Sequence, residues 1–393
     1  MFHVVWILFS AVELGVIWLW ATRTFPALAR RRRTLAAAFV SLIVAQTCTR
    51  WVVVHWHVGS VLEMVFVVTM MTLGIASLPI GVLQLASWAS ASVARRALRQ
   101  PTAASPSALP GPVLAGLTRR QVVEAAGGLS FLGATGSMLG WGIVRGRHAF
   151  EIDEVAVRIA GLPRALDGYV IAQVSDLHCG TYVGERLLDE GLDRVRKVKP
   201  DLLVVTGDLV DFDPVFCPMV ASRIMRVAPR DGVFGCIGNH DDYTGVDRLL
   251  AILRPAGIRM LVNDGCVVRP RDGGGFALLG VDDRWSTQYG RSGPDLDRAA
   301  SRVPPAGPRI LLSHQPVTVD RWAGRVALQL SGHTHGGQIN PGFRPADLLM
   351  RYVAGRYEVG STTLYVNRGF GTVGPPSRVG APPEVTRIVL VAA

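Results

Sequence analysis

Five short motifs follow one another across the second half of the chain: Asp176-Leu177-His178, Gly207-Asp208-Leu209-Val210-Asp211, Gly238-Asn239-His240-Asp241, Ser313-His314 and Gly332-His333-Thr334-His335. They carry seven groups able to bind a metal (Asp176, His178, Asp208, Asn239, His314, His333 and His335) and one further histidine, His240. Carboxylate, imidazole and amide ligands in that mixture suit a pair of divalent cations sharing one bridging group, which is hydrolytic chemistry. Five of the nine histidines fall inside these motifs, far more than their short length would collect by chance. A lone Gly-Asp pair or a lone histidine has a bland explanation as a turn or a hydrogen-bonded structural residue. Five motifs in order, each closing an apolar run, do not.

The apolar runs are what must position these groups. Residues 169–174, 202–206, 233–237, 276–281, 310–313 and 326–331 read as strands, and 187–198 and 246–253 as amphipathic helices. Strands alternating with helices predict an α/β layered domain, with functional groups delivered to one rim by the strand ends. Asp176 and His178 are two residues apart, as are His333 and His335, so an extended backbone would turn each pair to one side. Gly207, before Asp208, would let the backbone approach bound ions closely. The stretch Asp282-Asp283-Arg284-Trp285 reads either as a solvated loop or as a cover over the site, and Gln338 and Asn340 are candidates for its rim.

The first half has a different texture. Apolar segments at 2–21, 35–54, 61–87 and 122–144 each approach or exceed the ~20 residues that cross a bilayer as a helix. Thirteen arginines in residues 1–150 stand against Glu13, Glu63 and Glu124, so nearly all of the net charge of +11 belongs to this half. That excess flanks hydrophobic segments, which points to a membrane region rather than a nucleic-acid face. Arg23 and Arg30 to Arg33 separate the first two segments, and Arg95, Arg96, Arg99, Arg119 and Arg120 the last two, whereas His55-Trp56-His57-Val58-Gly59 has no basic side chain but histidine. Both arginine-rich loops are expected in the cytoplasm, which places the N-terminus and residues 145–393 outside, with Arg145 and Arg147 running against that assignment. The expected division is a membrane region, 1–147, with a Pro/Ser-rich cytoplasmic loop at 95–120, and a catalytic domain, 148–393. No basic residue precedes the first segment, so it is not expected to be a cleaved signal peptide. Thr118-Arg119-Arg120-Gln121-Val122-Val123 is similar to a twin-arginine export signal, or is simply a basic flank. Glu13, Glu63, His55 and His57 are too scattered to form an intramembrane relay. Five cysteines without C-x-x-C spacing predict free thiols.

The order DLH, GDLVD, GNHD, SH, GHTH resembles the calcineurin-like metallophosphoesterase superfamily, with every signature position filled over about residues 165–392. Gly336-Gly337-Gln338, Asn367-Arg368-Gly369-Phe370-Gly371-Thr372 and Ala381-Pro382-Pro383-Glu384 resemble its bacterial membrane-associated branch, itself similar to UDP-diacylglucosamine hydrolases of lipid A synthesis. The resemblance implies a four-layer sandwich, two β-sheets covered by helices. It implies Asp176, His178 and His335 on one metal, Asn239, His314 and His333 on the second, and Asp208 bridging both. His240 would act on the substrate, oriented by Asp241, with Asp211 in a supporting or structural place. Two divalent ions are expected, manganese favoured over iron or zinc. The expected function is a membrane-anchored phosphodiesterase or pyrophosphatase acting on lipid-linked or envelope phosphoesters through a metal-bridged hydroxide. The alternatives are a phosphomonoesterase or protein phosphatase, or a non-catalytic metal-binding scaffold. No nucleic-acid partner is expected beyond a possible substrate.

Overall fold

The computed structural model describes residues 2–56, 61–97, 117–269 and 274–393. His57, Val58, Gly59, Arg99 and nearly all of the Pro/Ser-rich loop lie outside the described residues. The chain divides into two compact units, Met1–Gly140 and Trp141–Ala393.

The first unit holds α1 (Phe2–Thr24), α2 (Pro26–Arg30), α3 (Arg32–Trp56), α4 (Val61–Ala97) and most of α5 (Arg119–Val144). Among the described residues, three helical stretches are long and apolar enough to cross a membrane: Ile7–Thr24, Met64–Val93 and Arg119–His148. The expected second segment, 35–54, forms a helix within α3, and its later side chains lie outside the described residues. Glu13 lies against Gly74 of α4, with a carboxylate oxygen 2.6 Å from where a Cβ would stand.

The second unit is built on two six-stranded sheets. The strands are β1 (Glu151–Ile159), β2 (Val170–Val174), β3 (Leu202–Thr206), β4 (Val233–Cys236), β5 (Ile258–Met260), β6 (Asp264–Val268), β7 (Phe276–Gly280), β8 (Arg309–Leu312), β9 (Leu328–Ser331), β10 (Gly355–Val359), β11 (Thr362–Val366) and β12 (Glu384–Ala392). One sheet runs β1-β12-β2-β3-β4-β5 and the other β10-β11-β9-β8-β7-β6. Strands β2 to β5 are parallel, as are β7, β8, β9 and β11.

The alternation of side chains explains the layering. Ile171, Leu202 and Val204 of the first sheet meet Leu278, Ile310, Leu312, Leu328 and Leu330 of the second in one inner core. Their neighbours Ala172, Leu203 and Val205 point the other way, onto α6 (Glu185–Lys197), α7 (Cys217–Met225) and α9 (Val246–Leu253). Ala277, Leu279 and Leu311 are likewise covered by Leu296 and Ala299 of α10 (Leu296–Ala300) and Trp322 of α11 (Val319–Trp322). Both faces of each sheet are therefore buried, which is why the central strands read as unbroken apolar runs. Helix, sheet, sheet, helix is the expected four-layer order.

Candidate active site

Every one of the five motifs sits just past the carboxyl end of a parallel strand: Asp176 and His178 after β2, Asp208 after β3, Asn239 and His240 after β4, His314 after β8, His333 and His335 after β9. Parallel neighbours in two facing sheets bring those ends to a common rim. Asn239 and His240 open the short helix α8 (Asn239–Thr244).

The backbone there is not ordinary strand. Asp176, His178, Asp208, His333 and His335 all have positive φ, between 45° and 74°. Non-glycine residues held in that region cost about 1–3 kcal/mol each and persist only where surrounding structure dictates them. The dictation is visible: Asp176 N–H donates to Gly207 O (3.1 Å), His178 N–H to Asp208 O (3.0 Å) and His333 N–H to the Asp176 carboxylate (3.0 and 3.1 Å). Gly332 must be glycine, because a Cβ would stand 1.9 Å from Ser175 Oγ and 2.2 Å from Asp176 Oδ2. Gly207, at φ 90°, has the Gly238 backbone and His314 Nδ1 within 2.7 Å of its would-be Cβ.

Asp208 is the centre of the arrangement. Its Oδ2 lies 3.4 Å from His178 Nε2 on one side and 3.3 Å from His314 Nε2 on the other, while Oδ1 accepts from His240 N–H at 2.8 Å. On the first side His178 Nε2 and His335 Nε2 are 3.1 Å apart, and Asp176 Oδ1 is 3.4 Å from His335 Nε2. On the second, His333 Nδ1 is 3.3 Å from His314 Nε2. His314 donates its Nδ1–H to the Thr206 carbonyl (2.7 Å), which leaves Nε2 as the nitrogen that faces Asp208. Three groups, Asp176/His178/His335, His178/Asp208/His240 and Asp176/Asp208/His314, each bring ligand atoms within 4.8 Å of one another.

These donors fit divalent cations on two further counts. Asn239 Oδ1 is buried with no hydrogen-bond partner, a cost that an amide oxygen normally avoids and a cation would relieve. Electrostatics is the second count. Burial opposes charge throughout, yet His335 and His178 draw Asp176 below its ordinary range, and His314 and His240 draw Asp208 down. Against the same burial, Asp176 and Asp211 push His178 up to about 10, and Asp208 raises His314. Burial and the adjacent His314 take His333 down to about 4. Positive charge is thus favoured beside Asp208, and cations there would supply it in place of protons.

His240 is placed differently from the ligands. Its Nδ1 faces two acceptors of Asp211, the backbone carbonyl at 2.8 Å and Oδ1 at 3.0 Å, so Nδ1 carries the hydrogen. Asp211 therefore occupies the place expected for Asp241. The Asp241 carboxylate instead accepts from the backbone amides of Asp208, Leu209 and Gly238, each at 2.9 Å. It locks the β3 and β4 turns together, and burial with the neighbouring Asp208 pushes it up to about 7. Gln338 and Asn340, the candidates for the rim, have their side-chain amides committed to the backbone. Gln338 spends its amide on Val373 and Pro375 carbonyls, and Asn340 on those of Gly336 and Gly380, so both brace loops.

Several contributors had no motif to announce them. Phe212 lies 5.0 Å from the His240 ring and stacks on Tyr243 at 6.0 Å. Tyr289 is 5.7 Å from Tyr243, while Trp285, in the stretch weighed as a cover over the site, stands edge-on to His333 at 5.7 Å. Asp282 and Asp283 are buried rather than solvated, whereas Arg284 and Trp285 face outward. Arg378 is fully buried and donates to the carbonyls of Arg368, Gly371 and Ala381, with Nη2 3.2 Å from His335 Nδ1. Cys179, beside His178, is a buried free thiol whose pKa burial pushes up.

The family model for calcineurin-like phosphoesterases matches residues 169–337, which contain all five motifs. The transmembrane protein with metallophosphoesterase domain of Danio rerio is 33% identical over 259 residues, 64% of this chain and 59% of that protein. The chain spans about three-fifths of the length of such transmembrane relatives. The metallophosphoesterase YkuE of Bacillus subtilis is 32% identical, over 70% of this chain and 98% of its own length. The phosphodiesterase YaeI of Escherichia coli is 31% identical, over 64% and 89% respectively. With its rim of ligands, its layered sheets and a relative matched almost end to end, the chain belongs to the calcineurin-like phosphoesterase family.

Proposed function

We propose that this chain is a membrane-anchored, dimetal phosphoesterase that hydrolyses phosphodiester or pyrophosphate bonds of lipid-linked or envelope substrates. The observation that carries the reading is Asp208 Oδ2, set between His178 Nε2 and His314 Nε2 at nearly equal distances. Asp176, His178 and His335 would hold one ion, Asn239, His314 and His333 the other, and Asp208 both. Two divalent ions there lower the pKa of water and neutralise phosphoryl oxygens, with manganese favoured and iron or zinc compatible with the same donors. His240, oriented through Nδ1 by Asp211, presents Nε2 to donate a proton to the leaving oxygen. Phe212, Tyr243, Tyr289 and Trp285 supply a ring-lined approach for an apolar or planar group carried on the phosphorus, which favours a diester over a bare monoester.

Stripping the full-length protein with a chelator and restoring manganese, zinc or iron in turn checks this directly. Hydrolysis of an aryl phosphodiester should vanish and return, and should exceed that of the matching aryl monoester. A faster monoester rate would favour the phosphatase alternative, and metal binding without any hydrolysis the scaffold.

The same proposal places the catalytic domain on the side of the membrane away from the cytoplasm, supported by the arginines at the end of α1 and at the start of α5. Protease added outside intact cells whose outer barrier has been opened should then cut the catalytic domain. Complete protection there, with cleavage after lysis, would reverse the orientation.

A further inference from the structure

One surface feature of the catalytic unit is left without a partner by everything above. Between the ligand turn at His335 and the buried Tyr352, residues 341–351 form a projecting loop. Phe343 is 61%, Leu348 80%, Leu349 90% and Met350 45% exposed, a density of apolar groups that an ordinary loop tip does not carry. The loop is built, not slack. Pro345–Leu348 is a 3-10 turn, Asp347 N–H donates to Arg344 O (3.1 Å), Met350 N–H donates to Ala346 O (2.8 Å), and Arg344 Nε donates to Asp347 Oδ1 (2.8 Å). Its base is clamped to the metal-ligand turn: a Cβ on Gly337 would meet Arg344 and Ala346 at 3.2 and 3.3 Å, and Thr334 Oγ1 donates to Val353 O at 2.5 Å.

Two observations say what covers it. Arg344 and Arg351, paired with Asp347 and Asp320, flank the apolar residues, giving greasy side chains framed by polar, charged ones, the composition of a segment that lies at a lipid headgroup boundary. The loop also springs from the platform that carries the end of α5. Asn340 N–H donates to Val379 O (2.8 Å) and Val379 N–H to Gln338 O (2.9 Å), while the neighbouring Arg378 N–H donates to Gly142 O (3.3 Å). Gly142 is packed so closely there that a Cβ would stand 2.1 Å from Ser377 Oγ. Gly142 belongs to the last turn of a helix long and apolar enough to cross a membrane, and Trp141 and Val144 on that turn are exposed.

We propose that the loop at 343–350 inserts its apolar tip into the bilayer surface, beside the end of α5, and holds the metal site over the headgroup layer to act on a phosphoester borne by a lipid. This rests on the reading of a membrane-held phosphoesterase and adds to it the element that presents the substrate. Because His333 and His335 lie in the turn to which the loop is clamped, loop depth sets the height of the site above the membrane.

The test reads position, not turnover, so it fails separately from the phosphoesterase reading. Full-length protein carrying Cys48→Ser, which removes the exposed native thiol and leaves four buried ones, is given Leu349→Cys or, independently, Phe343→Cys. Each is labelled with an environment-sensitive dye and reconstituted into vesicles of phosphatidylethanolamine and phosphatidylglycerol. Lipids brominated in their acyl chains should quench most of the emission at both positions, while aqueous iodide should quench little. Free quenching by iodide with none by bromolipid would overturn the proposal. So would protection from both quenchers that grows with protein density in the membrane, which would make the loop a contact between copies of this chain.

Discussion

Asp208→Ala should abolish metal-dependent hydrolysis of an aryl phosphodiester, and Asp208→Asn should come close to doing so. The expected loss is about a thousandfold or more, beyond the ~10–100-fold typical of a residue that only supports a ligand. The reason is the position of one oxygen: Oδ2 faces His178 Nε2 and His314 Nε2 together, so its charge serves both halves of the cluster. The asparagine variant is the sharper of the two. It retains an acceptor for His240 N–H, now 2.8 Å from Oδ1, and so should keep the turn folded. What it loses is the negative charge that two buried cations would share. Metal content measured on the purified variant should fall from two ions per chain toward one or none. A variant that keeps both ions and its rate would remove Asp208 from the bridging role and leave the functional proposal without its main support.

The parts of this site that could be read from sequence, and those that could not, separate along a physical line. Strand ends were legible because a strand buried on both faces is an uninterrupted apolar run, and the run stops where the chain must turn. Residues 202–206 and 246–253 coincide with β3 and α9, and the remaining expected strands are displaced by only one or two residues from β2, β4, β7, β8 and β9. Side chains that bind metals are also legible, since their chemistry lies in the residue type. Pairing between distant segments is not. The parallel register of β1 on β12 joins Glu151 to Glu384, and nothing local in either stretch announces the other.

The roles of Asp211 and Asp241 were out of reach for a related reason. Both are buried or half-buried aspartates beside His240, and which one orients it depends on where three backbone amides point. Asp241 is consumed by the N–H groups of Asp208, Leu209 and Gly238, partners that carry no side-chain signature. The left-handed backbone at five candidate ligands is equally silent in sequence, because no glycine or asparagine occupies those positions. Arg378 shows the same limit: its donors go to carbonyls of Arg368, Gly371 and Ala381, which any residue could supply.

His240→Gln should lower the maximal rate by about a hundredfold to ten-thousandfold while leaving the metal content unchanged. The division between those two readouts matters because His240 shares a group with His178 and Asp208 whose ligand atoms lie within 4.8 Å, so it could itself hold an ion. Loss of an ion along with the rate would make it a ligand and would take the proton-donor role away from it. Its hydrogen-bond pattern favours the donor role, since Nδ1–H is committed to Asp211 and only Nε2 can exchange a proton with substrate. Asp211→Asn should act in the same direction but more weakly, about tenfold to a hundredfold, as expected of a second residue that orients the first. The Asp211 carbonyl at 2.8 Å survives that substitution and preserves the tautomer, while the carboxylate contact to Nδ1 at 3.0 Å is weakened. The weaker effect should therefore appear in kcat more than in KM. It should also be smaller for an aryl diester with a good leaving group than for an alkyl one, whose departing oxygen depends more on being given a proton. Equal losses on both substrates would show that Asp211 merely holds the fold, and His240 would then have to be oriented by its backbone contact alone.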